Sequence, residues 1–235
     1  MPRKPRFVLP GVPLHVVQRG HNRSAVFFEP QDYLTYLDWL KHGSLRYDCA
    51  IHAWCLMTNH IHLLVTPQDA QGVGRMMQFV GRHYVPYINQ KYGRSGSVWE
   101  GRFKASLVDA DSYLLACMRY IELNPVAAEI VDHASKYRWS SYHRNALGHS
   151  DPLIQSHPVY RALGAEAAGR SAYVELFSAH QSTLDAIGER IRAASQTGTP
   201  LADTRFREQI ERALGRKVGQ ARRGRPDGYK VRKDG

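Results

Sequence analysis

Four residues of this chain have types and spacings suited to work on a phosphate: His60, His62, Tyr120 and Asn124. Side chains alternate faces along a strand, so in the run NHIHLLV His60 and His62 project from one side and Ile61 from the other. Two imidazoles side by side make half of a metal site. The bland alternative is a pair of partly exposed residues on a polar sheet face. Against it stands the apolar run Leu63, Leu64, Val65 that follows: such a strand has little reason to hold two adjacent titratable groups without a common partner. A hydrolytic zinc site of the HxHxDH type would need an acid and a further histidine just afterwards, and neither is there. Two histidines that leave room for a polar side chain, water and phosphate oxygens suit a hard octahedral ion, Mg or Mn.

Tyr120 and Asn124 lie four apart in RYIELNPVAAEI, which on a helix puts them on one face, one turn apart. A nucleophile and a ligand could share one wall of a site in this way. Spacing leaves a second reading open, in which Asn124-Pro125 caps and starts a new helix and Tyr120 is a core aromatic.

The elements that must carry these residues follow from the hydrophobic pattern. LHVVQR at 14–19 predicts a strand ending at Gly20, and 31–47 a helix with Leu34, Leu37 and Leu40. The apolar runs 49–57 (CAIHAWCLM) and 60–66, joined by Thr58-Asn59, predict a hairpin. A second helix is expected over 73–91, an extended segment over 97–108, and a third helix capped by Asp109 or Asp111. The order β-α-β-β-α-β then helix points to an α+β fold of the ferredoxin-like type, an antiparallel sheet with helices on one face. Further helical pieces are expected at 159–163, 173–191 and 204–214. We divide the chain into a catalytic domain, 1–150, a helical extension, 151–214, and a basic tail, 215–235.

Three segments, HVVQRGHNR, NHIHLLV and RYIELNPV, together resemble the REP-associated tyrosine transposases, a branch of the single-tyrosine HUH (IS200-like) transposases, over roughly residues 7 to 145. The resemblance implies that His60 and His62 bind the metal, that Tyr120 is the nucleophile and that Asn124 completes the ligand set. It further implies cleavage and rejoining of single-stranded hairpin DNA, from repetitive extragenic palindromes, through a 5′-phosphotyrosine. One departure is visible: the family often has Arg after NPV, where this chain has Ala127-Ala128.

Charge agrees with a nucleic-acid partner. The net charge is +11, and residues 212–235 hold nine bases against two acids, which accounts for seven of it. Arg19, Asn22 and Arg23 after the first strand, Arg102 and Lys104 beside Trp99, and Arg119 are candidate DNA contacts, against the alternative of solvated strand edges. In the tail, Arg223-Gly224-Arg225-Pro226 has the form of a minor-groove hook. A silent binding module on the same sheet would carry an aromatic run of the GFxF type, which is missing. Three cysteines without a CxxC pair, a first apolar stretch broken by Pro10, Gly11 and Pro13, and no run of about 18 apolar residues lead us to expect a soluble cytoplasmic protein at the nucleoid, without a membrane partner. The sequence leaves open whether it acts as a monomer or a homodimer.

Overall fold

The structure, a computed structural model, describes residues 6–178 and 181–218, with backbone alone at 181–185. Four strands form one sheet: β1 (Leu14–Arg19), β2 (Cys49–Met57), β3 (His60–Pro67) and β4 (Lys104–Leu107), in the spatial order β2-β3-β1-β4 with every pairing antiparallel. Helix α1 (Pro30–Arg46) links β1 to β2, α2 (Gly72–Lys91) links β3 to β4, and α3 (Ala110–Ala127) follows β4. Short helices α4 (Tyr142–Asn145) and α5 (Pro158–Arg161) lead to α6 (Glu166–Glu175), α7 (Gln181–Thr197) and α8 (Thr204–Leu214). Among the described residues no helix is long and apolar enough to cross a membrane, and Cys49, Cys55 and Cys117 are buried free thiols.

The hairpin forms where two apolar runs meet at Thr58-Asn59. β2 and β3 are nearly continuous in apolar residues, and strands of that composition are buried on both faces. That is the arrangement found. Ile51, Trp54, Leu56, Ile61, Leu63 and Val65 pack under α1 and α2 with Tyr36, Leu40, Met76 and Val80. Ala53, Cys55, Met57 and Leu64 pack on the other side with Leu114, Cys117 and Ile121 of α3. The expectation of helices on one face is therefore corrected: α1 and α2 cover one side, and α3 with the later helices covers the other. A bulge between Ile51 and Ala53 shifts the register of β2, so the parity of its first residues differs from that of its last.

Two further expectations change. The extended segment at 97–108 pairs as a strand only over Lys104–Leu107, with a single bridge from Trp99 to Gly20 upstream. The helical stretch expected at 173–191 is divided between the end of α6 and the start of α7. α7 packs on β4, β1 and α3, and Leu201 just beyond it bridges Val108 in parallel at the sheet edge.

Candidate active site

Strand parity decides which side chains face α3. Ile61, Leu63 and Val65 fill the core under α1 and α2, so His60, His62 and Leu64 take the opposite side of β3. Leu14 and Val16 of β1 belong to the same α1–α2 core, which turns His15, Val17 and Arg19 toward the histidines. The register sets Arg19 opposite His60, Val17 opposite His62 and His15 opposite Leu64, while Lys104 pairs with Val17 from β4. One face thus gathers three histidines, an arginine and a lysine. The His60 and His62 ring centroids are 5.0 Å apart, and His15 stacks on His62 at 5.1 Å.

Helix α3 crosses this face and holds Tyr120 edge-on to two of the rings, with centroids 5.8 Å from His15 and 5.9 Å from His62. Asn124 lies one turn further along the same helix, which runs through Pro125 to Ala127. The alternative of a new helix capped by Asn124 therefore drops out, since Pro125 sits in the last turn of α3. The Asn124 Nδ2 donates to the Tyr120 carbonyl at 2.8 Å, which turns Oδ1, the metal-ligating atom of an amide, away from its own backbone. Helix α7 closes the site from above. A Cβ added at Gly188 would lie 3.7 Å from the Tyr120 ring, the Arg192 guanidinium one turn on acts on the phenol with its positive charge, and Ser195 Oγ lies 2.8 Å from His15 Nδ1.

Burial governs the charge states. It lowers His15 to about 3 and His60 to about 4, the latter with help from Arg19, and it holds His62 well below the ordinary histidine value. All three are neutral imidazoles near pH 7, the form that binds metals. Burial pushes the Tyr120 phenol upward, the wrong direction for a nucleophile, and the Arg192 and Arg19 guanidiniums oppose it. The His60 Nδ1 lies 2.6 Å from Asn59 Oδ1, and Asn59 Nδ2 donates to the Arg23 carbonyl at 3.0 Å. That second bond fixes the amide, so His60 Nδ1 carries the hydrogen and Nε2 keeps its lone pair. Among the described residues no group of three or more His, Cys, Asp or Glu has metal-holding geometry; a set of two histidines and an amide falls outside that class.

Residues 10–124 match the family model described as Transposase IS200 like. Over that segment the chain is similar to the IS200-like transposases. All of His60, His62, Tyr120 and Asn124 fall within the IS200-like segment, Asn124 as its last residue, whereas α7 lies outside it. A Haemophilus influenzae protein whose name places it among the REP-associated tyrosine transposases is 28% identical over 104 residues, 40% of this chain. The match spans 58% of that relative's length. A solved structure of a REP-associated tyrosine transposase bound to a REP hairpin superposes with a TM-score of 0.54 at 18% identity, covering 72% of this chain and 97% of the other. At that identity the likeness speaks for the fold.

Of the candidate DNA contacts, Arg19, Asn22, Arg23, Arg102 and Lys104 are exposed. Asn22 and Arg23 form a tight turn after β1 with φ of 50° and 57°. The turn needs Gly20, because a Cβ there would sit 2.3 Å from the Ser24 carbonyl oxygen. Arg119, by contrast, is buried and donates to the Leu176 carbonyl, which removes it from the solvent-facing set. Arg223 and Arg225 lie outside the described residues. Sequence reasoning missed His15, and it missed Gly188, Arg192 and Ser195 altogether. For His15 a signal existed: it shares strand parity with Arg19, and its neighbours Leu14 and Val16 on the other face are apolar. For the α7 residues none did, because nothing in the sequence says where α7 docks.

Proposed function

We propose that this chain is a metal-dependent single-stranded DNA endonuclease and strand transferase of the transposase type, acting on hairpin DNA through a 5′-phosphotyrosine at Tyr120. The observation that carries the reading is Tyr120 held edge-on to His62, with Asn124 one turn away and Arg19 across the strand from His60. We read the strand order β2-β3-β1-β4 as the ferredoxin-like arrangement. The hairpin partner is supported by the hairpin bound in the related solved structure.

The donor set fits a divalent ion: His60 Nε2, His62 Nε2 and Asn124 Oδ1 would hold Mg or Mn and leave positions for water and phosphate oxygens. When bound, such an ion polarises the scissile phosphate and stabilises charge on its oxygens. Arg19, on the same sheet face, adds positive charge beside the phosphate. The Tyr120 hydroxyl loses its proton and its oxygen attacks phosphorus, while the bond from phosphorus to the 3′ oxygen breaks and that oxygen takes up a proton. The products are a tyrosyl ester of the 5′ phosphate and a free 3′-hydroxyl. Because the ester keeps the energy of the original diester, another 3′-hydroxyl can reverse the step and join strands without a nucleotide cofactor. α3 fixes the nucleophile relative to the sheet, so the entropic cost of alignment is met in folding. The positive charge of Arg192 favours the ionised form of the phenol.

The test is cleavage of a labelled hairpin oligonucleotide in Mn or Mg against chelator. His60→Ala should lower the cleavage rate by at least a hundredfold, while hairpin affinity in chelator stays within a few-fold of wild type. Equal cleavage with and without metal would overturn the reading.

A further inference from the structure

We propose that Ser195 and His15 are positioning residues that set the tautomer of His62 and so make helix α7, outside the family-matched segment, a working part of the metal site. The inference rests on the reading of His62 as a ligand. It begins from three buried contacts in series. Ser195 Oγ lies 2.9 Å from the Ile191 carbonyl oxygen and 2.8 Å from His15 Nδ1, and His15 Nε2 lies 2.9 Å from His62 Nδ1. Ser195, His15 and His62 are 7%, 1% and 4% exposed, so water does not compete for these atoms.

Each of the three side chains brings one hydrogen to the series: the hydroxyl hydrogen and one N–H on each neutral ring. A carbonyl oxygen only accepts, so the direction of the series is decided at Ile191. If the Ser195 hydroxyl donates to Ile191, its oxygen is left to accept from His15 Nδ1–H. His15 Nε2 then accepts from His62 Nδ1–H, and all three contacts are hydrogen bonds. With the opposite polarity, Ser195 donates to His15 and His15 to His62. The Ser195 and Ile191 oxygens then face each other at 2.9 Å with no hydrogen between them. Only the first polarity satisfies every contact, and a serine donating to the carbonyl four residues earlier is an ordinary helical geometry.

The consequence reaches the metal site. In the first polarity His62 carries its hydrogen on Nδ1 and presents a bare Nε2; in the second, Nε2 is blocked by a hydrogen. His60 reaches the same state by another route, through Asn59 Oδ1. Partners of this kind, bonded to the non-ligating nitrogen, typically account for 10- to 100-fold in metal affinity. Sequence order makes the dependence long-range: β1, β3 and α7 each supply one member.

The experiment uses the full chain and Mn2+ as probe. In metal-free protein, long-range 1H–15N correlations of the imidazoles, assigned with His15→Gln and His62→Gln, should report Nδ1–H for both rings. Ser195→Ala should move His62 toward the Nε2–H form and weaken Mn2+ binding, measured by calorimetry, about tenfold. Ser195→Thr, which keeps the hydroxyl, should restore both. Nε2–H on His62 in the wild type would overturn the proposal, as would Ser195→Ala with unchanged tautomer and unchanged Mn2+ affinity. Neither readout involves DNA. A wild type with the expected tautomer and Mn2+ affinity but no DNA cleavage would sink the proposed function and leave the relay standing.

Discussion

His52 and His62 lie on neighbouring strands and are both buried, yet their hydrogen-bond partners give them different roles. The His52 Nδ1 donates to the Gln155 carbonyl at 2.6 Å and its Nε2 accepts from the Thr66 hydroxyl at 2.8 Å, so neither nitrogen is left over. His60 and His62 each engage Nδ1 within the protein, with Asn59 and His15, which in the proposed site leaves Nε2 to a ligand. Burial lowers His52 to about 4, with the charge of His157 adding to it and the Gln155 bond opposing it. Since the folded value lies below the unfolded value of about 6.5, the unfolded chain takes up the proton first. The stability contribution is therefore present above pH 6.5 and lost as pH falls toward 4, on the order of 3 kcal/mol. Urea unfolding of wild type and His52→Gln between pH 7 and 4 should show the variant with the shallower loss of stability. Parallel slopes would contradict this. At this scale the sequence placed His60 and His62 on one strand face and Tyr120 one helical turn from Asn124, because parity and helical spacing are local. The same parity gives the face of His15 but not its partners, which are 47 and 180 residues away in the chain.

At the scale of elements, Glu122 fixes how α3 presents Tyr120. Its buried carboxyl accepts from Ser141 Oγ at 2.6 Å, Asn145 Nδ2 at 2.8 Å and the Tyr173 hydroxyl at 2.9 Å, tying α3 to α4 and α6. Glu122→Ala leaves three buried donors without an acceptor and should cost about 2–4 kcal/mol in urea unfolding; a loss within about 0.5 kcal/mol would show that α3 is held by its apolar face alone. The strands β1, β2 and β3 and helices α1 and α2 were legible because period and breakers agree in each. The short β4 was not, since Gly101 interrupts a segment whose alternation otherwise reads as one strand. Nor was the continuation of α3 through Asn124-Pro125, where local preference favours a break. Pro125 forgoes its own bond to the carbonyl four residues back, and α3 continues only two residues past it. The covering of both sheet faces did have a signal, in the unalternating apolar runs of β2 and β3.

For the whole molecule, charge and topology converge on one end of the sheet. Arg19 lies across from His60 and Lys104 pairs with Val17 on the same sheet face, and more of the positive charge is concentrated in the tail. Val218 is buried against the core, so a cut that spares the fold falls after it. Residues 219–235 hold six bases and two acids. Their removal should weaken hairpin binding and reduce the slope of log affinity against log salt; an unchanged slope would mean that the tail makes no phosphate contacts. The central claim, that Tyr120 becomes covalently joined to DNA, is tested most directly on a denaturing gel. Purified protein is mixed with a labelled hairpin oligonucleotide in Mn, and the attachment site of any adduct is mapped by mass spectrometry. Single-tyrosine chemistry predicts a protein-linked band in the wild type with the phosphate on residue 120, and no such band from Tyr120→Phe while hairpin binding persists. An adduct of equal yield from Tyr120→Phe would contradict it.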